Sequence, residues 1–226
     1  MTKTIAYVLY PGLTALDLVG PLTVTAVLDG DFETVVVARD LETLDTDAPI
    51  RLGATATFDE VTAPYAVVVP GGTAGTFAAC ADERLLDWLR TASATAEVTA
   101  SVCTGSLILG AAGLLEGRRA TTHWGFRDVL PKFGAIPVAE RWVQDGGIVT
   151  AAGVSAGIDM ALHLVREFAG EEVARFAQLL IEYDPLPPLG GIDWDEVDIP
   201  SFKPYMQEAM RAGLADHPEL LARLTG

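Results

Sequence analysis

The sequence predicts an α/β protein, a mostly parallel sheet with helices on both faces. Three observations carry this. Apolar runs rich in Val, Ile and Ala alternate along the chain with segments of helical spacing. Half of the 226 residues are hydrophobic, so a large core can be buried and disorder is not expected. Pro and Gly fall directly after several apolar runs, where a strand must give way to a loop.

The elements follow in order. Residues 3–9 read as a buried strand, broken by Tyr10-Pro11-Gly12. Residues 13–28 have helical spacing, with Asp17 in the first turns. Residues 33–38 form the next strand, and 39–57 a loop or hairpin region. The run 66–69 is a short buried strand ending at Pro70-Gly71-Gly72. Asp82 can cap a helix that carries Leu85, Leu86 and Leu89 on one face. Residues 97–102 run as a strand into Cys103, and 104–112 continue as a helix ending near Gly113. Segments 135–138 and 147–151 read as later strands. Ser155 can cap a long apolar helix with Ile158, Ala161, Leu162 and Val165, and 171–181 is another helix. Residues 183–188, with three prolines, cannot be regular structure, and 205–224 return to helical spacing. No internal repeat or sustained linker interrupts this. One domain over 1–226 is expected, with the tail from about residue 184 packed on it.

The totals also exclude classes. A net charge of −16 without a Lys/Arg cluster argues against nucleic acid and anionic membranes as partners. No apolar run reaches the roughly 18 residues of a membrane-spanning helix. The N-terminus does not read as a signal peptide, and a cytoplasmic location is expected. Cys80 and Cys103 do not make a disulfide framework. His123, His163 and His217 lack metal-ligand spacing, so no metal is expected.

In open α/β sheets, ligands bind beyond the carboxyl ends of the strands. Cys103, Gly71-Gly72 and Asp17 all fall at such ends. The segment Ser101-Val102-Cys103-Thr104-Gly105 follows the logic of a nucleophile elbow, a sharp strand-to-helix turn that presents one side chain. A helix N-terminus there favours a thiolate, and the Thr104 N–H with one from Gly72 or Thr73 could stabilise an anion. The alternative reading of Cys103 is a small buried hydrophobe. Asp17, among apolar neighbours, is either a first-turn carboxylate favouring its helix or an acid–base group. His123 could face the pocket or only start a helix. His163 reads as core, and Asp159 as a dipole or cap group.

These motifs resemble the ThiJ/PfpI superfamily across nearly the whole chain. The match includes Tyr10-Pro11-Gly12, Asp17-Leu18-Val19-Gly20-Pro21, Val69-Pro70-Gly71-Gly72 and Ser101-Val102-Cys103-Thr104-Gly105. It continues through Gly117-Arg118-Arg119-Ala120-Thr121-Thr122-His123-Trp124, the run from Thr150 to Asp159, and Glu182-Tyr183-Asp184-Pro185. The resemblance implies a flavodoxin-like three-layer sandwich, commonly a homodimer, with Cys103 as nucleophile. Protease-like members place His after the elbow Cys, where this chain has Thr104. Deglycase- and glyoxalase-like members place Glu where Asp17 stands. Asp, Cys and Thr in these places resemble the isonitrile hydratase branch, which adds water to R–N≡C to give a formamide.

That resemblance implies attack by Cys103 on the isonitrile carbon, with Asp17 as acid and then base, and no cofactor. Thr104 and the Gly72 N–H would orient water and stabilise charge. His123, Trp124 and Trp142 would line a pocket for a small-molecule substrate. The rival expectations are a glyoxalase- or deglycase-like activity, a redox sensor at Cys103, and a ligand-sensing domain like that of AraC-type regulators.

Overall fold

The computed structural model describes residues 2–226. A seven-stranded sheet forms its middle layer. In chain order its members are β1 (Lys3–Val8), β2 (Phe32–Ala38), β5 (Ala56–Thr57), β6 (Ala66–Val69), β7 (Val98–Ser101), β10 (Trp142–Asp145) and β11 (Ile148–Ala151). Their spatial order is β10-β11-β7-β6-β1-β2-β5. All pairings are parallel except β10 with β11, a hairpin turned at Gly146. Parallel strands are buried on both faces, which explains their continuous apolar runs: β6 and β7 have no residue above 7 % exposure. Two short pairs lie apart, β3 (Leu44–Asp45) with β4 (Arg51–Leu52), and β8 (Arg119–Ala120) with β9 (Ile136–Pro137).

Helices cover both faces. On one side α1 (Ala15–Thr25), α5 (Ala156–Ala169) and α6 (Glu171–Leu180) pack together. On the other lie α2 (Ala74–Ala79), α3 (Glu83–Ser93), α4 (Gly105–Ala111) and the 3-10 segment Trp124–Phe133, with α7 (Ile199–Gly213) and α8 (Pro218–Thr225) packed over them. Asp82 caps α3 as its sequence position suggests, its Oδ1 accepting from the N–H groups of Arg84 and Leu85 at 3.1 and 3.3 Å.

Several elements differ from the sequence expectation. The first helix covers Ala15–Thr25 rather than 13–28, because Leu13 pairs instead with Gly72 in an isolated antiparallel bridge. The Thr14 N–H then donates to Gly71 O at 2.8 Å, fixing the start of α1 against the loop after β6. The 39–57 region is a hairpin plus the edge strand β5, and it braces the same place: Gly12 N–H donates to Asp45 O and Asp47 N–H to Leu13 O. Helix α2 was not expected; six residues are too few for a periodic pattern. The 135–138 strand shrinks to two residues. Ser155 does not cap α5 with its side chain; its hydroxyl instead accepts from Arg141. The tail helix splits in two, because Pro218 cannot continue α7 and begins α8 instead.

Candidate active site

The site is built where β1, β6 and β7 end. The ladder runs one residue past β7, with Val102 N–H donating to Val69 O at 2.9 Å. Cys103 then takes φ 56°, the left-handed region that L-residues rarely adopt. Thr104 returns to helical angles and α4 begins. One residue therefore turns the chain from strand to helix and holds its side chain at the carboxyl edge of the sheet. Such a conformation costs of order 1–3 kcal/mol and persists only where neighbours enforce it. They do so here. Gly105 sits so close beneath Val69 O and Pro70 that no Cβ fits. The Cys103 carbonyl accepts the Thr122 hydroxyl at 3.0 Å and, more distantly, that of Ser106.

Asp17 is brought to Cys103 by α1 and is fully buried. Its Oδ2 accepts the Gly71 N–H at 3.0 Å, whereas its Oδ1 is buried with no hydrogen-bond partner among the described residues. Gly71 must be glycine: a Cβ there would lie 2.5 Å from Thr104 N and 2.9 Å from Asp17 Oδ2. Burial raises the Asp17 pKa to about 7, opposed by the Gly71 hydrogen bond and the adjacent Cys103 thiol, with Asp47 adding a smaller repulsion. The Cys103 thiol is pushed well above its ordinary range, by burial first and then by the Asp17 charge. The Thr104 N–H pulls it down less strongly. Spacing alone suggested that the helix terminus would win and give a standing thiolate. Desolvation and the adjacent carboxylate outweigh it, and Asp17 ionises before the thiol. The pair titrates as a unit, because two anions cannot share one buried site cheaply.

Thr104 and Gly72 engage each other. The Thr104 hydroxyl donates to Gly72 O at 2.7 Å and accepts the Gly72 N–H at 2.9 Å. The Gly72 N–H, expected to face a developing anion, is thus already committed, and so is the Thr104 hydroxyl expected to orient water. Thr76 lies 2.8 Å from the Thr104 hydroxyl and 3.1 Å from Tyr10 Oη, and Tyr10 donates to Pro70 O at 2.9 Å. This chain of buried hydroxyls pins the Pro70-Gly71-Gly72 loop to the elbow.

His123 follows Thr122. It is half-buried, its Nδ1 accepts the Gly125 N–H, and burial lowers its pKa. Trp124 packs edge-on to Phe202, with ring centroids 5.0 Å apart, and leans towards Trp194. Trp142 is placed elsewhere: it stacks on His163 at 4.1 Å and borders a surface depression with Arg119, Arg141 and Arg166. His163 is buried as expected, and it also hydrogen-bonds Gln144 and Arg166. Asp159 sits in the first turn of α5, where a carboxylate suits the helix dipole, and it makes no cap; it pairs with Arg141 and accepts the Tyr183 hydroxyl, tying three segments together. Sequence reasoning missed Thr76 and Thr122. Thr76 offers only a hydroxyl among small and apolar neighbours, and Thr122 only its place in the Thr121-Thr122-His123-Trp124 motif.

An elbow cysteine facing a buried carboxyl, over a parallel three-layer sandwich, defines a class of proteins. The chain belongs to the DJ-1/PfpI family, whose model matches residues 3–167. Among named relatives it is 45% identical to the isonitrile hydratase of Pseudomonas putida over 188 residues, 83% of this chain and 82% of that one. It is 36% identical over 94 residues to the transcriptional regulator CdhR of Pseudomonas aeruginosa, 40% of this chain but only 27% of that one. A solved ThiJ/PfpI family protein from Pseudomonas syringae superposes with a TM-score of 0.85 at 39% identity, covering 94% of this chain and 91% of that one. Drosophila melanogaster DJ-1beta, at 20% identity and a TM-score of 0.70 over 80% of this chain and 98% of that one, shares the fold. No helix among the described residues is long and apolar enough to cross a membrane.

Proposed function

We propose that this chain is an isonitrile hydratase-like lyase, converting R–N≡C and water into R–NH–CHO. The observation that carries the reading is the buried Asp17 carboxyl next to the Cys103 thiol, with its Oδ1 unpartnered among the described residues. The 45% identity to an isonitrile hydratase over most of both chains supports it.

The chemistry follows from the order of ionisation. Asp17, ionised first, takes the thiol proton as sulfur attacks the terminal carbon of the isonitrile. It returns that proton to the same carbon, giving the thioimidate R–N=CH–S–Cys103. Asp17 then takes a proton from water as the oxygen adds to this carbon, and passes it to nitrogen. The tetrahedral adduct HC(OH)(NHR)–S–Cys103 loses its hydroxyl proton to Asp17 and expels sulfur. The formamide leaves, and Asp17 and Cys103 share the remaining proton as before. No electron acceptor or donor is needed, since the carbon changes partners without net redox change. The Thr104 N–H beside the sulfur steadies it whenever it carries charge. Thr104 and Gly72 act by holding the elbow against the Pro70-Gly71-Gly72 loop, and we assign the R group to His123 and Trp124, which directly follow the elbow-bound Thr122.

We further infer a homodimer as the working unit. Leu16 and Val19 on α1, beside Asp17, are exposed apolar residues, and Leu186 and Leu189 are more than nine-tenths exposed.

Cyclohexyl isocyanide and methylglyoxal, assayed in parallel, test the reaction. Release of N-cyclohexylformamide, abolished in Cys103→Ala, is the expected result. Lactate from methylglyoxal with no formamide would instead favour a glyoxalase.

A further inference from the structure

We propose that Thr122 is a positioning residue for the nucleophile, acting through the Cys103 carbonyl. Cys103 holds a left-handed backbone without being glycine, and its carbonyl therefore falls outside both the β7 ladder and the α4 hydrogen-bond pattern. Two hydroxyls serve that carbonyl, Thr122 at 3.0 Å and Ser106 at 3.4 Å. Only the first is at a good hydrogen-bonding distance. Thr122 is itself fully buried, as is Thr121 before it. The Thr121 N–H donates to Thr150 Oγ1 at 2.9 Å, and Thr150 pairs in register with Ser101 at the end of β7. The Thr121-Thr122 pair thus latches the elbow to the neighbouring strand β11 by one backbone and one side-chain hydrogen bond.

The latch matters because the Cys103 sulfur sits between two groups that set its chemistry, the Asp17 carboxyl and the Thr104 N–H. Rotation of the peptide after Cys103 moves the Thr104 N–H directly, since the carbonyl and that N–H belong to one plane. In a trans peptide the carbonyl points away from the N–H, so the Thr122 hydroxyl holds this plane by the end remote from the Thr104 N–H. Misplacement of a reacting group by about 1 Å can cost on the order of a hundredfold in rate.

This inference rests on Cys103 as the nucleophile, and two readouts separate its fate from that of the hydratase reading. In Thr122→Val, which keeps the shape and removes the donor, kcat for isonitrile hydration falls by about tenfold or more while KM changes less than about twofold. The pH profile of Cys103 alkylation by iodoacetamide, measured without isonitrile, shifts its midpoint by about half a unit or more. Thr122→Ser restores both to wild type. If the valine variant does not fold, Thr122→Ala, which is smaller and cannot clash, decides the question by the same readouts. A donor-less variant with wild-type kcat and an unshifted alkylation profile overturns the proposal. So does a serine variant as impaired as the valine variant, because packing and not the hydroxyl would then be at work. If the wild type does not hydrate isonitriles, the alkylation profiles still decide the role of Thr122.

Discussion

Ionising Asp17 inside the folded chain is costly, and that cost sets two measurable pH dependences. Its pKa rises from 3.8 to about 7 on folding. Between about pH 4 and 7 the folded state therefore holds a proton that the unfolded state has lost, and stability falls as pH rises through that window. The fall amounts to on the order of 4 kcal/mol. Asp17→Asn removes it: urea unfolding at pH 8 should show the variant more stable than wild type, with the difference vanishing at pH 4. The same variant should lose turnover, which is the usual trade between stability and a strained site. Activity has the opposite slope. In the proposed reaction ionised Asp17 takes the thiol proton, so kcat/KM should rise with pH through an apparent pKa of about 7, read from the acid limb of its pH profile. Cys103 and Asp17 were legible as candidates from their place after strands. Which of them ionises first was not, because desolvation depends on what packs around them.

Helix α5 meets the elbow through one small residue. A Cβ on Gly157 would lie 2.8 Å from Val102 Cγ1 and 3.1 Å from Pro21 Cγ, between the residue before Cys103 and the middle of α1. Gly157→Ala should therefore destabilise by about 1–3 kcal/mol in urea melts, and slow turnover by displacing Val102. Gly20 makes the contrast. Its added methyl would lie 3.5 Å from Ile158 and Leu16, an ordinary contact, so Gly20→Ala should be within about 0.5 kcal/mol of wild type or more stable. The strands β1, β6 and β7 were legible because burial on both faces forces continuous apolar runs. The bridge of Leu13 with Gly72 was not, since Leu13 fits a helical pattern equally well and only the nearby loop after β6 captures it.

The whole chain carries −16, and self-association must work against that charge. Most of its arginines are taken up in exposed pairs such as Arg39–Asp82 and Arg175–Glu171, which add little stability individually. A dimer must then be held by its apolar contacts, and salt should strengthen it by screening the repulsion. Sedimentation should give twice the 23.9 kDa chain mass, with the dimer persisting to lower protein concentration as salt is raised. A single-chain mass at all concentrations would count against it. The tail also acts at this scale. Met206 and Met210 on α7, with Leu214 just after it, are buried where α7 packs over α2 and the 3-10 segment that follows His123.

By itself the sequence determined the α/β layering, the elbow at Cys103 and the three strand ends that meet there. These follow from local patterns: period, turn residues and a polar group after an apolar run. Tertiary structure alone decided that Thr104 and Gly72 bond to each other, that Trp142 stacks on His163 at the sheet edge, and that Asp17 keeps a proton to about pH 7. Each depends on which distant segment comes within a few ångströms, and on how much water that segment excludes. Neither quantity is written in the spacing of residues along the chain.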